Sequence, residues 1–267
     1  MIKNVFNLLR NNPVIIAFHL IYELLLILIV VLLYPTNMNQ FMGNENFDIA
    51  AYFMMLIKML SACGLLFLIS IIFMPGYGHM LSEAIIQGKT SAKSFLEGIN
   101  RFFVRFLLLT LLGTAAAFAF SIIISIILVP ITMIQVIGGD PSGLVYTSVF
   151  ITILILLITI LIIPFVLLCI PSILMDDVKI FQGIKIGAKA GVKNYWKLVI
   201  ILLTTYLPII FYQIIYYDSV AQGEIITPSY IVLLIICGII SLFIIPMLFL
   251  VYKEYRMKQI DNDNTRF

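Results

Sequence analysis

Charge is what this chain has least of. Only 11% of its 267 residues are Asp, Glu, Lys or Arg, against about 25% in an average soluble domain. That is too little polar surface to clothe a fold of this size in water, so an ordinary soluble enzyme is excluded. Cysteine is scarce too. Cys63, Cys169 and Cys237 are odd in number and show no CxxC spacing, which excludes a disulfide scaffold and reads as reduced packing residues. There are two histidines, no HExxH and no His/Cys cluster, so neither a catalytic zinc nor any other cofactor is expected. GxSxG is missing, as is GxxxxGK followed by Ser or Thr, which removes the nucleophile elbow and the P-loop. The expectation is a protein that is not an enzyme and has no nucleic-acid partner.

What the chain has is apolar length. Hydrophobic residues make up 63% of it, and its mean hydropathy is +1.15. A helix needs about 20 apolar residues to cross the hydrocarbon of a bilayer. Six stretches qualify: Val14–Tyr34, Ile49–Met74, Phe102–Ile134, Tyr146–Leu174, Leu198–Tyr217 and Tyr230–Tyr252. The runs are continuous rather than alternating, which excludes a β-barrel. The first is too long for a signal-peptide core and no cleavage site follows it, nor does a lipidation signature open or close the chain.

Cations set the orientation. Of the 16 Lys and Arg, all but Lys58 lie in the two tails and in the second and fourth connections, counting a few residues into the helix ends. The other connections carry acids: Glu45, Asp48, Asp140, Asp218 and Glu224. By the positive-inside rule both termini are expected in the cytoplasm. The expected fold is an all-α integral membrane protein of the cell membrane: six transmembrane helices as three helical hairpins, N-in and C-in, with amphipathic cytoplasmic helices. Residues 1–267 form one membrane domain. Parallel repeats over about 1–74, 75–170 and 171–267 are one reading of it, since Gln87-Gly88 and Ala92-Lys93 recur as Gln182-Gly183 and Ala188-Lys189. Shared membrane-entry chemistry is the other.

The fourth connection carries a tetrad pattern. Gly183, Gly187 and Gly191 form one stripe and Lys185, Lys189 and Lys193 another. A glycine costs about 1 kcal/mol relative to alanine inside a helix, so something must offset three of them. Close packing on another helix is one candidate. Backbone approach to a lipid phosphate, with the lysines as headgroup ligands on anionic lipid, is the other. Trp196, Tyr195, Phe102 and Phe103 are expected as interfacial anchors. Gly113, Ala117, Ser121 and Ser125 are expected as a small-residue contact face. Asp176-Asp177 are expected to cap the helix that follows rather than hold a metal, and His79, beside Gly76-Tyr77-Gly78, to belong to a turn.

Ionisable groups within spans are the default functional candidates. His19 and Glu23 lie one turn apart in the first span, and Lys58 lies in the second. Counting residues from the span ends places Glu23 and Lys58 together near the midplane, where an ion pair is expected. Two readings stand: a proton or ion relay through His19, Glu23 and Lys58, or a static pair that fixes helix packing.

The run Pro171-Ser172-Ile173-Leu174, an acidic residue, an amphipathic Gly/Ala/Lys helix and then Asn194-Tyr195-Trp196-Lys197 is similar to the multi-pass membrane domain ahead of the catalytic domain in some bacterial glycerophosphodiester phosphodiesterases, and to related six-span proteins. The resemblance covers about 75–203. Catalysis in those enzymes belongs to a separate soluble barrel that these residues do not contain, so what the resemblance implies is a six-helix membrane module. The function expected is therefore a non-catalytic scaffold or accessory subunit of a membrane complex, partnered by the lipid bilayer, by anionic lipids and by a membrane protein. The alternative is a small transporter or lipid-handling protein.

Overall fold

A computed structural model describes residues 1–33, 49–138, 160–215 and 228–264. Every regular element among them is an α-helix. In chain order these are α1 (Ile2–Asn11), α2 (Pro13–Leu33), α3 (Ile49–Gln87), α4 (Ala92–Gly138), α5 (Cys169–Met175), α6 (Ile180–Lys193), α7 (Tyr195–Ile215) and α8 (Pro228–Asn264). The chain is already helical from residue 160, with a break at Leu168 before α5. Among the described residues, four helices are long and apolar enough to cross a membrane: Pro13–Leu33, Phe53–Gln87, Ala92–Ile122 and Pro228–Asp261. Of the expected fourth span only the shorter apolar helix Ile160–Met175 is described, its start lying outside the described residues, and the expected fifth falls in α7, which begins as the shorter apolar helix Tyr195–Thr205 and runs on to Ile215.

The helices expose apolar side chains on their outer faces as well as packing them in the core, unlike those of a water-soluble bundle. On α2, Leu20, Leu24, Leu28 and Leu32 are exposed, whereas His19 and Tyr22 are buried. Exposed leucine rows of this kind fit hydrocarbon, with polar groups turned in to find partners. This makes the chain a membrane-embedded helical protein.

The second connection differs from its expected form. No separate amphipathic helix stands there, because α3 continues through Pro75 as far as Gln87. The turn to α4 is made by Gly88, whose φ of +84° is a left-handed value suited to glycine at a helix end. The two helices then run back close together. A Cβ on Gly98 would sit 2.8 Å from the Pro75 carbonyl oxygen and 3.0 Å from the Gly76 Cα, and one on Gly76 would strike the Phe95 ring. Gly76 and Gly78 are thus contact points inside a helix, and His79 packs on Phe102 from that helix rather than from a turn. Gln87-Gly88 closes a helix, whereas Gln182-Gly183 lies within α6, so these two pairs occupy different local structures.

The glycine stripe of α6 packs on protein. A Cβ on Gly183 would meet Ile173, one on Gly187 would meet the Cys169 backbone, and one on Gly191 the Pro164 carbonyl oxygen at 2.5 Å. Lys185, Lys189 and Lys193 are exposed on the far side. Close packing therefore accounts for the glycines and leaves the lysine face free.

α8 is the hub. It packs against α1, α2, α3, α5, α6 and α7, and its Phe249 and Tyr252 are among the most deeply buried large side chains. By contrast, no described atom lies within 4 Å of an added Cβ at Gly113, and Gly113, Ala117, Ser121 and Ser125 are exposed. The expected small-residue contact in α4 is not made by the described residues.

Candidate functional site

Two polar clusters join the hub to its neighbours. The first lies in the apolar middle of α2 and α8. His19 is 1% exposed, and its Nε2 lies 3.0 Å from the Gly238 carbonyl oxygen and 3.0 Å from Ser241 Oγ. Ser241 Oγ donates to Glu23 Oε1 at 3.0 Å, and Glu23 Oε1 lies 3.5 Å from His19 Nε2. A carbonyl oxygen only accepts, so the His19 proton facing it sits on Nε2. Gly238 makes the close approach geometrically possible: a Cβ there would stand 3.1 Å from the Glu23 carboxyl group. Around the cluster run aromatic rings, with Tyr22 stacked on Phe73 and His19 tilted against Tyr77. Tyr22 Oη also bridges to Ser70 Oγ on α3 at 3.1 Å. Two buried atoms here, His19 Nδ1 and Tyr77 Oη, have no hydrogen-bond partner among the described residues.

Lys58 is not part of this site. It is exposed, and no ion pair joins it to any described residue, Glu23 included. The register explains why. The Tyr22–Ser70 bridge fixes α3 against α2, and Lys58 lies twelve residues beyond Ser70, about 18 Å along the helix at 1.5 Å per residue. That carries it to the level of the end of α2, well away from the Glu23 carboxyl group.

The second cluster gathers at the basic end of the bundle. Asp177 accepts from Arg101 and from Arg105 Nη1, the latter at 2.7 Å. Asp176 accepts from Tyr252 Oη and from Arg256 Nε, the latter at 3.0 Å. Burial works against the Asp177 charge, but the hydrogen bonds from Arg101 and Arg105 outweigh it and hold its carboxyl below the ordinary aspartate value. The expected helix cap does not form: the N-cap of α6 is Lys179, without a side-chain cap bond. Both carboxylates face cations on α4 and α8 instead, because the left-handed backbone at Asp177, φ +51°, reverses the chain between α5 and α6. Arg101 and Arg105 lie over the Phe102 ring, which is buried rather than interfacial. Lys197 pairs with Glu254 at 2.9 Å, Lys253 Nζ donates to the Ile85 carbonyl oxygen at 2.7 Å, and Asn12 spans to Gly88 and Thr90. The start of α2, the α3–α4 turn, the α5–α6 junction and the end of α8 therefore meet at one end.

The sequence pointed to His19 and Glu23 and missed Ser241 and Gly238. Their signal was a small and a hydroxyl residue three apart, hence on one face, in an otherwise apolar run. Chemically, the first cluster is a Ser–His–Glu set in the wrong order for nucleophilic catalysis. A catalytic triad places its carboxylate and its hydroxyl on opposite ring nitrogens. Here both approach Nε2, and the imidazole does not relay between them. No family model, curated protein or solved structure matches the chain.

Proposed function

We propose that this is a non-catalytic multi-pass protein of the bacterial cell membrane, serving as a scaffold or accessory subunit of a membrane complex. The observation that carries the reading is the use to which its ionisable groups are put. Glu23, Asp176, Asp177 and Glu254 each reach across to another helix, so their chemistry is spent on fastening helices. Six crossings in three hairpins are supported by the contacts at the basic end. The chain leaves that end along α2, α4 and α7, and is back there at the α3–α4 turn, at Asp177 and at Glu254. A cytoplasmic basic end with both termini inside follows from the positive-inside rule. The resemblance to phosphodiesterase membrane modules and the Ile-, Asn- and Lys-rich composition are the basis for a bacterial source.

A small transporter or lipid-handling protein is the second reading. It is favoured by the unpartnered His19 Nδ1 and Tyr77 Oη beside Glu23, since buried polar atoms without partners often await a water or a ligand. Purification in mild detergent at native expression, with mass spectrometry of bound proteins and lipids, separates the two. A stoichiometric membrane-protein partner is expected. A lone chain carrying one enriched solute or lipid would overturn the scaffold reading in favour of the second.

A further inference from the structure

α1 and α6 are unrelated in sequence but have one design. On α1, Val5 and Leu9 are buried, Ile2 and Phe6 are exposed, and Lys3 and Arg10 follow them around the helix, also exposed. On α6, Gly183, Gly187, Ala190 and Gly191 are buried, Phe181 and Val192 are exposed, and Lys185, Lys189 and Lys193 follow in the same rotational sense. At about 100° per residue, each helix thus has a packed face, then an apolar edge, then a cationic edge. A helix facing only water has no use for the exposed apolar edge, on which Phe181 is 75% exposed. One lying in a membrane interface uses both, with the apolar edge among acyl chains and the cations at the phosphates.

Both helices pack against α8, and they lie at the same end of the bundle. Val5 and Leu9 share a core cluster with Ile85 and Phe249, while Lys193 Nζ stands 5.6 Å over the Tyr255 ring. Trp196, also 75% exposed, continues the α6 surface into α7 beside Lys197.

We propose that α1 and α6 form a paired interfacial collar that binds anionic phospholipid, through Lys185, Lys189 and Lys193 on α6 and Lys3 and Arg10 on α1. The occupant is chosen by charge: these five exposed cations have no acidic ion-pair partner among the described residues, and Asp176, Asp177 and Glu254 at this end are already paired with Arg101, Arg105, Arg256, Lys197 and Lys258. The collar requires that the chain sits in a membrane, but not that it is a scaffold.

The chain's single tryptophan is Trp196, so its fluorescence reports on this surface alone. The full-length protein is reconstituted in equal mixtures of phosphatidylglycerol and phosphatidylcholine, with the bromine quencher carried on the acyl chains of one lipid or the other. Brominated phosphatidylglycerol is expected to quench Trp196 more strongly than brominated phosphatidylcholine. Each lysine should add up to about a fivefold preference for the anionic headgroup, and the K185Q/K189Q/K193Q variant should quench equally with both. Equal quenching of the unmodified protein would overturn the collar, as would a preference that survives the triple change. Quenching by neither lipid would instead contradict the membrane setting itself. An acidic protein bound to this face, competing with phosphatidylglycerol for it, would also overturn the proposal.

Discussion

Gly187→Ala is expected to destabilise the protein by about 1–3 kcal/mol, the range for an overpacked core, although alanine is the better helix former by about 1 kcal/mol. The added methyl would lie 2.6 Å from the Cys169 Cα and 2.7 Å from its backbone nitrogen. Backbone atoms have no rotamer through which to give way, so relief requires α6 to lift from α5. That would also strain the Ser172 Oγ bond to the Gly183 carbonyl oxygen, 2.6 Å long, and shift the Asp176–Asp177 reversal. Gly187→Val should cost more. Gly113→Ala is the control: an added Cβ there meets nothing within 4 Å, so helix propensity acts alone and the variant should be neutral or more stable. Thermal unfolding in detergent, followed by size-exclusion recovery, reads both. Equal behaviour of the two variants would show that the glycine stripe is not a packing face.

Glu23 and Ser241 are expected to be energetically coupled, and Glu23 and Lys58 are not. Ser241→Ala removes the hydroxyl that donates to the Glu23 carboxyl group at 3.0 Å and leaves that group in a largely apolar setting. Loss of about 1–3 kcal/mol is expected, the cost of an unsatisfied buried polar group. Once Glu23→Gln is in place, Ser241→Ala should cost less, because no carboxylate remains to be stranded. A double-variant cycle on unfolding free energy should give a coupling of at least about 0.5 kcal/mol for this pair. Lys58→Met should be silent in both backgrounds, since Lys58 is exposed. Strict additivity of Glu23→Gln and Ser241→Ala would mean that the cluster is a coincidence of placement.

Particular residues show what could be read before the fold was known. Four of the six apolar runs named long apolar helices among the described residues, because length and hydropathy are local properties. The tetrad Gly183, Gly187 and Gly191 gave a packing face, because helical periodicity survives folding unchanged. Depth was misjudged at Lys58. Counting from the start of an apolar run assumes that the run and the bilayer begin together, whereas the register of α3 against α2 is set by a Tyr22–Ser70 contact 48 residues apart. The partners of Asp176 were hidden for the same reason, since Tyr252 and Arg256 come from the far end of the chain. Local rules offered a helix cap, and a long-range cation was the stronger partner. Phe102 read as interfacial because it stands where a cytoplasmic segment turns into a span, but the helix turns it inward beneath two guanidinium groups.

The central claim is that four basic segments share one side of a membrane. The most direct measurement uses a background with Cys63, Cys169 and Cys237 replaced by alanine, and single exchanges Lys3→Cys, Lys89→Cys, Lys189→Cys and Lys258→Cys. All four positions are exposed. A membrane-impermeant maleimide is applied to intact cells and then to opened ones. All four cysteines should stay unlabelled until the membrane is breached, and then react alike. Labelling of any one in intact cells would place its segment on the opposite side and contradict the hairpin architecture.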